Sequence, residues 1–303
     1  MTSSTRILCL GEPLVEFVRL EDGLYRRGVG GDTSNAAISA ARQGASVGCL
    51  TALGADRFGD AVMELWQREG VDTSGVKRDP DAPTGIYFID PDPMGRAFTY
   101  YRAGSAASHL RPRDLPRDLL SSAGVLHLSG ITLAVSSDLR ETAFSAMELA
   151  RQSNTAVSID TNLRLKLWDA EDARNTLHAA MAYAQIAVTS LEDSETLTGL
   201  SDPGEIIAHY QSLGPRIVLV TMGAEGCWLG EAAERKHIPS APAQPVDSTG
   251  AGDSFAGAFL AYWLENGDAS LAAARAAKVA AATVSGYGAV DPVPYRASIV
   301  DDD

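Results

Sequence analysis

Residues 247 to 253 read Asp-Ser-Thr-Gly-Ala-Gly-Asp, and this run combines a candidate anion site with a carboxylate. Large aromatic residues then recur at every fourth position from Phe255 to Trp263. That spacing predicts a helix that begins at Gly252 or Asp253 and buries one face. The glycine-rich run therefore lies at the amino-terminal end of a predicted helix.

This helix start predicts a phosphoryl-transfer centre formed by Gly250, Ala251, Gly252 and Asp253. Glycine lets the backbone approach a ligand closely, and the first N–H groups of a helix have no partner inside it, so the N–H groups of residues 251–253 can bind a phosphate. A carboxylate beside bound phosphate is electrostatically unfavourable, so its presence there suggests a role such as accepting the proton of an attacking hydroxyl. The alternative is that Asp253 only caps the helix. At this point both hypotheses remain open.

The composition of the chain excludes several classes of partner. The 303 residues are 45% hydrophobic and 21% charged, which is typical of a globular enzyme, and the formal net charge is −14 with a pI near 4.8. Nucleic acid and acidic membranes both require a basic face, so we expect neither as a partner.

The chain also carries features that predict a cytoplasmic protein. Cys9, Cys49 and Cys227 are odd in number and lie in apolar stretches, which predicts reduced thiols. Residues 1–5 lead directly into an apolar strand, with neither a secretory leader nor a membrane-spanning run. We therefore expect a cytoplasmic location.

Short apolar runs alternate with helical patterns along most of the chain. Such alternation predicts an α/β fold in which a doubly wound, mostly parallel sheet has helices on both faces, within a single domain over residues 1–303. The apolar runs are Ile7–Leu10, Val47–Leu50, Val125–Leu128, Ala156–Ile159, Ile186–Val188 and Ile217–Val220. The helical patterns include Ser34–Gln43, Gly59–Glu69, Ser137–Arg151, Ala170–Ala184 and Glu205–Leu213.

Two stretches, about 12–32 and 84–105, interrupt this alternation and predict a small β-sheet. In the second stretch, extended runs flank the turn-rich residues 91–95, which predict a hairpin tip. Alternation along a strand places Phe98, Tyr100 and Arg102 on one face. That face can serve a ligand, or it can be cross-strand packing with an incidental surface arginine.

Polar residues follow three of the apolar runs, where ligands gather in open α/β sheets. Arg164 offers a planar fork for a carboxylate or phosphate, Glu192 or Asp193 can hold metal-bound water, and Gly223 with Gly226 can leave room for a nucleotide. Caps and turns are the alternative at each position. Residues 28–35 predict a second Gly-rich loop that opens a helix. Two common nucleotide motifs are missing, since this run departs from the dinucleotide fingerprint and the chain has no Gly-Lys-Ser/Thr phosphate loop.

Taken together, these residues resemble the ribokinase-like, or PfkB, family of carbohydrate kinases over nearly the whole chain. The run 30–35 with 54–59 is similar to the first family signature, and 247–260 is similar to the second. Within the family the chain is most similar to 2-keto-3-deoxygluconate kinases, in the runs 11–16, 85–87, 100–102, 128–132 and 160–168.

The resemblance implies an ATP- and Mg²⁺-dependent kinase in which Asp253 deprotonates the terminal hydroxyl of a sugar acid. It also implies that the small sheet is a lid and that lids pair in a homodimer. Asp247 and Thr249 can border a site for a monovalent cation such as K⁺, although a helix-entry turn is the simpler account. The implied substrate-binding residues are Gly31, Asn35, Tyr87, Tyr100, Arg102 and Arg164. The implied ATP-binding residues are Asn162, Ser190, Thr221, Gly223, Gly226 and Gly252, with Asp193 near the metal.

The chain departs from the family pattern in two places. The usual Asn-x-x-Glu element reads Ser190-Leu191-Glu192-Asp193, and the run 272–283 lacks the asparagine that many relatives carry near adenine. Alternatives for function are a fructokinase, a ribokinase or another PfkB sugar kinase, a non-catalytic nucleotide or sugar sensor, and a nicotinamide-dependent dehydrogenase, which the missing fingerprint disfavours.

Overall fold

The computed structural model describes residues 6–92 and 95–299. The predicted leaderless start and two residues of the predicted hairpin tip, Pro93 and Met94, lie outside these ranges. Within them are thirteen strands. The strands are β1 (Arg6–Leu10), β2 (Leu14–Arg19), β3 (Tyr25–Gly30), β4 (Ser46–Gly54), β5 (Val76–Asp79), β6 (Ile86–Asp92), β7 (Gly95–Tyr101), β8 (Val125–Ser129), β9 (Ala156–Asp160), β10 (Ile186–Ser190), β11 (Ile217–Thr221), β12 (Cys227–Glu231) and β13 (Glu234–Ile238).

Ten α-helices connect the strands within the described ranges. They are α1 (Asp32–Arg42), α2 (Arg57–Arg68), α3 (Arg117–Ser121), α4 (Gly130–Ala134), α5 (Ser137–Gln152), α6 (Ala170–Met181), α7 (Leu191–Thr198), α8 (Pro203–Leu213), α9 (Ala251–Asn266) and α10 (Ala269–Thr283). Several begin at a side-chain cap, as when Asp56 accepts hydrogen bonds from the N–H groups of Phe58 and Gly59 at the start of α2. None of the described helices combines the length and the apolar composition needed to cross a bilayer.

The main sheet has nine strands in the order β13-β12-β11-β10-β9-β8-β1-β4-β5. All neighbours are parallel from β11 to β5, whereas β12 and β13 pair antiparallel. Alternate residues of the central strands face opposite sides, so that Ile7 and Cys9 pack with α1, α2, α9 and α10, while Leu8 and Leu10 pack with α3, α5, α6 and α8. The predicted doubly wound α/β fold is confirmed, although the antiparallel pair was not anticipated.

A separate four-stranded sheet has the order β3-β2-β6-β7 and comes from the two stretches that interrupt the α/β alternation. On one of its faces Tyr100 stacks against Phe98 and Tyr87, and on the other Tyr101 meets Phe88 edge-on. The predicted alternation along β7 is therefore present. The role of this sheet as a lid, and the assignment of the chain as a single domain, stay predictions.

Two local predictions were wrong in detail. Helix α9 was expected to bury one face, but residues 254–262 are buried all around, because α1 packs on one side and α10 on another. At Gly257 a β-carbon would lie 3.0 Å from Cα of Ala36, so only glycine allows this close approach of α9 to α1. The run 28–35 opens a helix as predicted, but it is not a loop, since β3 ends at Gly30 and α1 begins at Asp32.

Cys9, Cys49 and Cys227 are buried free thiols, as the sequence predicted. Burial raises the pKa of all three thiols, which keeps them protonated near neutral pH. They therefore pack as small apolar side chains in the core.

Candidate active site

The predicted centre lies where the amino-terminal ends of α1 and α9 meet. Gly250 has a left-handed backbone (φ 75°) that turns the chain into α9, whose first residue is Ala251. The side chain of Asn35, in the first turn of α1, donates a 2.8 Å hydrogen bond from Nδ2 to Oδ2 of Asp253. Gly250 occupies the cap position, and no side-chain cap is found at this helix start. The geometry thus differs from the alternative in which Asp253 only caps the helix.

The start of α9 also presents free backbone donors, though fewer than predicted. The N–H of Ala251 donates to the carbonyl oxygen of Ser248, whereas those of Gly252 and Asp253 have no hydrogen bond within the described ranges. A β-carbon at Gly252 would meet no atom within 4 Å, so open space adjoins these donors. This end of α9 therefore fits a phosphate group, with two N–H donors rather than three.

The Asp253 carboxyl lies in an unusual electrostatic environment. Burial and the negative charge of Asp32 raise the pKa of its carboxyl from 3.8 to about 7, although Asn35 and Arg164 oppose the rise. Asp32 itself accepts a 3.1 Å hydrogen bond from Nδ2 of Asn162. A carboxyl that titrates near neutral pH suits a group that accepts a proton during turnover.

The carboxyl end of β9 reaches the same place. Burial, and the charges of Asp253, Asp193 and Asp32, raise the pKa of the Asp160 carboxyl well above its usual range. The next residues form a tight turn in which Asn162 has a positive φ of 30° and its N–H donates to Asp160. Four carboxylates from β9, α1, α7 and α9 therefore interact at this edge of the sheet.

The predicted nucleotide-binding residues follow β10 and β11, and the structure gives them different surroundings. Ser190 caps α7 by accepting a hydrogen bond from the N–H of Asp193 (3.0 Å), and Thr221 donates to the carbonyl oxygen of Thr189 (3.2 Å). Gly223 has a positive φ and open space in place of a side chain. At Gly226 a β-carbon would lie 2.6 Å from the N of Ser240, so this glycine is required by packing and does not face open space.

Asp193, the residue predicted to lie near the metal, already accepts hydrogen bonds from other protein groups. Oδ2 of Asp193 accepts hydrogen bonds from Oγ1 of Thr161 and from the N–H of Leu163, both at 2.9 Å. Within the described ranges, no group of three or more His, Cys, Asp or Glu side chains is arranged to hold a metal ion. A divalent cation bound here would therefore depend mainly on nucleotide phosphates for its ligands.

The small sheet contributes a layer of aromatic and charged side chains. The Tyr87 ring stacks on Tyr100 with centroids 5.4 Å apart, and its hydroxyl donates to Oε2 of Glu16 (2.7 Å). The guanidinium of Arg102 lies 5.6 Å from the centroid of the Tyr100 ring. Burial raises the pKa of the Tyr100 hydroxyl, and the positive charges of Arg102 and Arg164 oppose the rise.

The two arginines predicted to bind substrate differ in their state. Arg164 is exposed, and its Nη1 donates only to the carbonyl oxygen of the preceding Leu163 (3.0 Å) among the described contacts. The side chain of Arg102 is 12% exposed and forms an ion pair with the fully buried carboxylate of Glu12. The charge of Arg164 opposes the rise in the pKa of both Asp253 and Tyr100, and the charge of Arg102 also opposes that of Tyr100. The two guanidinium groups and the Asp253 carboxyl therefore lie in one region.

Gly31 joins the small sheet to α1. Its φ of 106° is a backbone conformation that glycine adopts readily and other residues rarely do. A β-carbon at this position would lie 2.5 Å from the carbonyl oxygen of Glu12. Gly31 therefore brings β3, Glu12 and the first turn of α1 together.

Sequence reasoning did not assign a role to Glu12, Glu16, Asp32 or Asp160. All four carboxyl groups lie in the site region, and burial raises the pKa of Glu12, Glu16 and Asp160. For three of them the available signal was their position, because Asp160 ends an apolar run, Glu12 follows Gly11 and Asp32 follows Gly31.

Comparisons with known proteins identify the family of this chain. The family model for pfkB family carbohydrate kinases matches residues 4–296. The chain is 34% identical to the 2-dehydro-3-deoxygluconokinase of Thermoproteus tenax, over 95% of this chain and 91% of that protein. It is also 33% identical to fructokinase-1 of rice (Oryza sativa subsp. japonica), over 85% and 82% of the two chains.

A solved structure gives the same result for the fold. The fructokinase of Xylella fastidiosa with bound ATP superposes with a TM-score of 0.91, covering 99% of both chains at 26% identity. The family match spans nearly every described element of the main sheet and of the small sheet. The chain therefore belongs to the pfkB family of carbohydrate kinases.

Proposed function

We propose that the protein is an ATP- and Mg²⁺-dependent kinase that phosphorylates the terminal hydroxyl of 2-keto-3-deoxygluconate. The observation that carries the proposal is the buried Asp253 carboxyl, hydrogen-bonded to Asn35, with its pKa raised to about 7 beside the free N–H groups at the start of α9. The coarser statement, that the chain is a sugar kinase, follows from its family.

The chemistry assigned to these groups is a single displacement. Asp253 takes the proton of the sugar hydroxyl, the hydroxyl oxygen forms a bond to the γ-phosphorus of ATP, and the bond from that phosphorus to the bridging oxygen breaks to release ADP. The N–H groups of Gly252 and Asp253 stabilise the negative charge of the transferring group. Mg²⁺, when bound with the nucleotide, neutralises part of the phosphate charge.

The choice of a sugar acid rests on the positive charges near the small sheet. The guanidinium groups of Arg102 and Arg164 both act on the Tyr100 hydroxyl, and Arg164 also acts on Asp253. A substrate whose terminal hydroxyl reaches Asp253 can thus place a carboxylate near these cations, which bind it by charge-assisted hydrogen bonds. A neutral ketose has no carboxylate that would bind the two guanidinium groups.

The test is an ADP-release assay with Mg²⁺-ATP and a matched panel of 2-keto-3-deoxygluconate, 2-ketogluconate, fructose and ribose. The proposal expects kcat/KM for 2-keto-3-deoxygluconate to exceed that for fructose by at least about tenfold, the effect of one lost charge-assisted contact. Turnover of fructose alone would overturn the substrate assignment and leave a fructokinase, the second candidate favoured by the rice relative. Tight ligand binding with no turnover on the panel would overturn the kinase and favour a sensor.

Three further features belong to the same proposal. We expect a homodimer formed through the four-stranded sheets, whose exposed apolar side chains include Leu24 and Tyr101, and we expect a cytoplasmic location. A K⁺ site beside Asp247 stays a prediction. One carboxylate oxygen of Asp247 accepts hydrogen bonds from both N–H and Oγ1 of Thr249, and the other accepts from the N–H of Gly288, which is the pattern of a helix-entry turn.

A further inference from the structure

Glu12 lies where the four-stranded sheet joins the main sheet. It stands between β1 of the main sheet and β2 of the small sheet, at the first of four chain connections between the two. The other connections pass through Gly31, through the segment that ends at Gly85, and through residues 102–105. A residue in contact with all four can control how the small sheet is placed.

Glu12 contacts each of these connections. Its carbonyl oxygen and its Oε1 would lie 2.5 Å and 3.2 Å from β-carbons built at Gly31 and Gly85, so both glycines pack directly against it. Oε1 accepts a 2.6 Å hydrogen bond from Oγ of Ser105, and Oε2 forms an ion pair with Nη2 of Arg102. The contacts therefore join segments up to 93 positions apart in the sequence.

The carboxylate of Glu12 is enclosed, and its charge depends on its partner. Glu12 is 1% exposed. Burial raises the pKa of its carboxyl, while the positive charge of Arg102 and the Ser105 hydrogen bond oppose that rise. A buried carboxylate needs such partners, so Glu12 and Arg102 hold each other in place.

Arg102 connects this pair to the candidate substrate region. Its guanidinium lies over the Tyr100 ring, and its charge acts with that of Arg164 on the Tyr100 hydroxyl. The buried Nε of Arg102 has no hydrogen-bond partner within the described ranges, so the guanidinium retains a donor beyond its pairing with Glu12. If Glu12 lost its charge, Arg102 would lose the contact that fixes its orientation.

We propose that Glu12 is a positioning residue that orients Arg102 toward the carboxylate of the sugar acid and fixes the four-stranded sheet against the main sheet. The substrate half of this inference rests on the proposed function. The half that concerns the sheet rests only on the contacts of Glu12.

The first experiment compares Glu12→Gln with Glu21→Gln, a matched change at an exposed glutamate between β2 and β3. We expect Glu12→Gln to raise KM for 2-keto-3-deoxygluconate about tenfold or more, with kcat and the KM for ATP changed less than about threefold, and to leave the rate on fructose near that of the wild type. A merely structural role would lower both sugar activities alike, and that outcome would overturn the substrate half.

A double-mutant cycle sharpens this result. If Glu12 acts through Arg102, Glu12→Gln adds little to the KM already raised by Arg102→Met. Fully additive effects, or a KM for Glu12→Gln equal to that of Glu21→Gln, would contradict the inference.

Hydrogen exchange measures the second half without substrate. In Glu12→Gln we expect backbone N–H groups of β2, β6 and β7 to exchange at least about threefold faster than in Glu21→Gln, while those of β8 to β11 keep their rates. Unchanged exchange in the small sheet would overturn the claim that Glu12 fixes it. If the wild type phosphorylates no sugar acid, the proposed function and the substrate half both fail, and exchange still decides the rest.

Discussion

Replacing Asp253 by asparagine should abolish most activity and at the same time stabilise the protein. The carboxyl is buried, and its pKa rises from 3.8 to about 7 on folding, chiefly because burial and Asp32 disfavour its charged form. Asparagine has nearly the same shape, can keep a hydrogen bond to Asn35, and carries no charge. Both expected effects therefore come from one feature, the free-energy cost of an ionised carboxylate in a buried site.

The size and pH dependence of the stability effect follow from the two pKa values. Between pH 3.8 and about 7 the folded state keeps a proton that the unfolded state releases, so the free energy of unfolding falls as the pH rises. A difference of roughly three pH units, at about 1.4 kcal/mol each, makes ionised Asp253 cost about 4 kcal/mol above pH 7. We expect Asp253→Asn to recover up to that amount at pH 8, and less than half of it at pH 5, because only the interval between pH 3.8 and pH 5 then contributes.

The assay combines urea unfolding at pH 8 and pH 5 with steady-state kinetics. Asp81→Asn, at an exposed position, is the control and should show no such pH-dependent gain. We expect kcat of Asp253→Asn to fall by about a hundredfold or more, the usual contribution of a general base, with KM for ATP little changed. A nearly normal kcat would refute the proton-acceptor role. A variant less stable than the wild type at pH 8 would refute the electrostatic reasoning.

Three other perturbations test separate parts of the site. Arg164→Met should raise KM for 2-keto-3-deoxygluconate about tenfold or more and spare fructose, measured by ADP release, and an equal loss on both sugars would contradict its role with the carboxylate. Gly252→Ala should fold normally but lower kcat/KM for ATP at least about tenfold, because the added methyl group enters the open space at the start of α9. The matched control Gly257→Ala should instead lower the melting temperature, because its added methyl group collides with Ala36. Asn35→Ala removes a contact that lowers the pKa of Asp253, so the rise of kcat with pH should move to higher pH, and an unchanged profile would refute that coupling.

Local patterns predicted the elements of this fold well. Apolar runs such as Ile7–Leu10 and Val125–Leu128 became β1 and β8, because a strand buried on both faces leaves a continuous apolar run in the sequence. The antiparallel strands β12 and β13 were missed, and for β13 the reason is that Glu234–Ile238 is largely polar and lies at the edge of the sheet. Edge strands meet water on one side, and so they lack the apolar signal.

The candidate site was predictable only where its signal was local. The composition of the run Gly250–Asp253 predicts a helix start, and in the structure Asn35 donates a hydrogen bond to Asp253 at that start. The ion pair between Glu12 and Arg102 and the hydrogen bond between Asn162 and Asp32 join residues 90 and 130 positions apart. Whether a carboxylate is buried depends on which distant segments of the chain cover it, and the residues next to it in the sequence do not show this. The sequence therefore identified the catalytic candidate, but not the charges that adjust its pKa.

The acidic surroundings of Asp253 set a condition on nucleotide binding. The charge of Asp32 raises the pKa of Asp253, and the charges of Asp32 and Asp193 help to raise that of Asp160, so the negative charge in this region opposes a free nucleotide polyphosphate. The free N–H groups of α9 and the guanidinium of Arg164 offset only part of that repulsion. A divalent cation that arrives with the nucleotide removes much of the remaining conflict, because it neutralises phosphate charge without needing a protein cage. Burial and the negative charge of Asp32 also raise the pKa of the Asp253 carboxyl to about 7, so the charge that opposes a free nucleotide also helps to give this aspartate the pKa that the proposed proton-acceptor role requires.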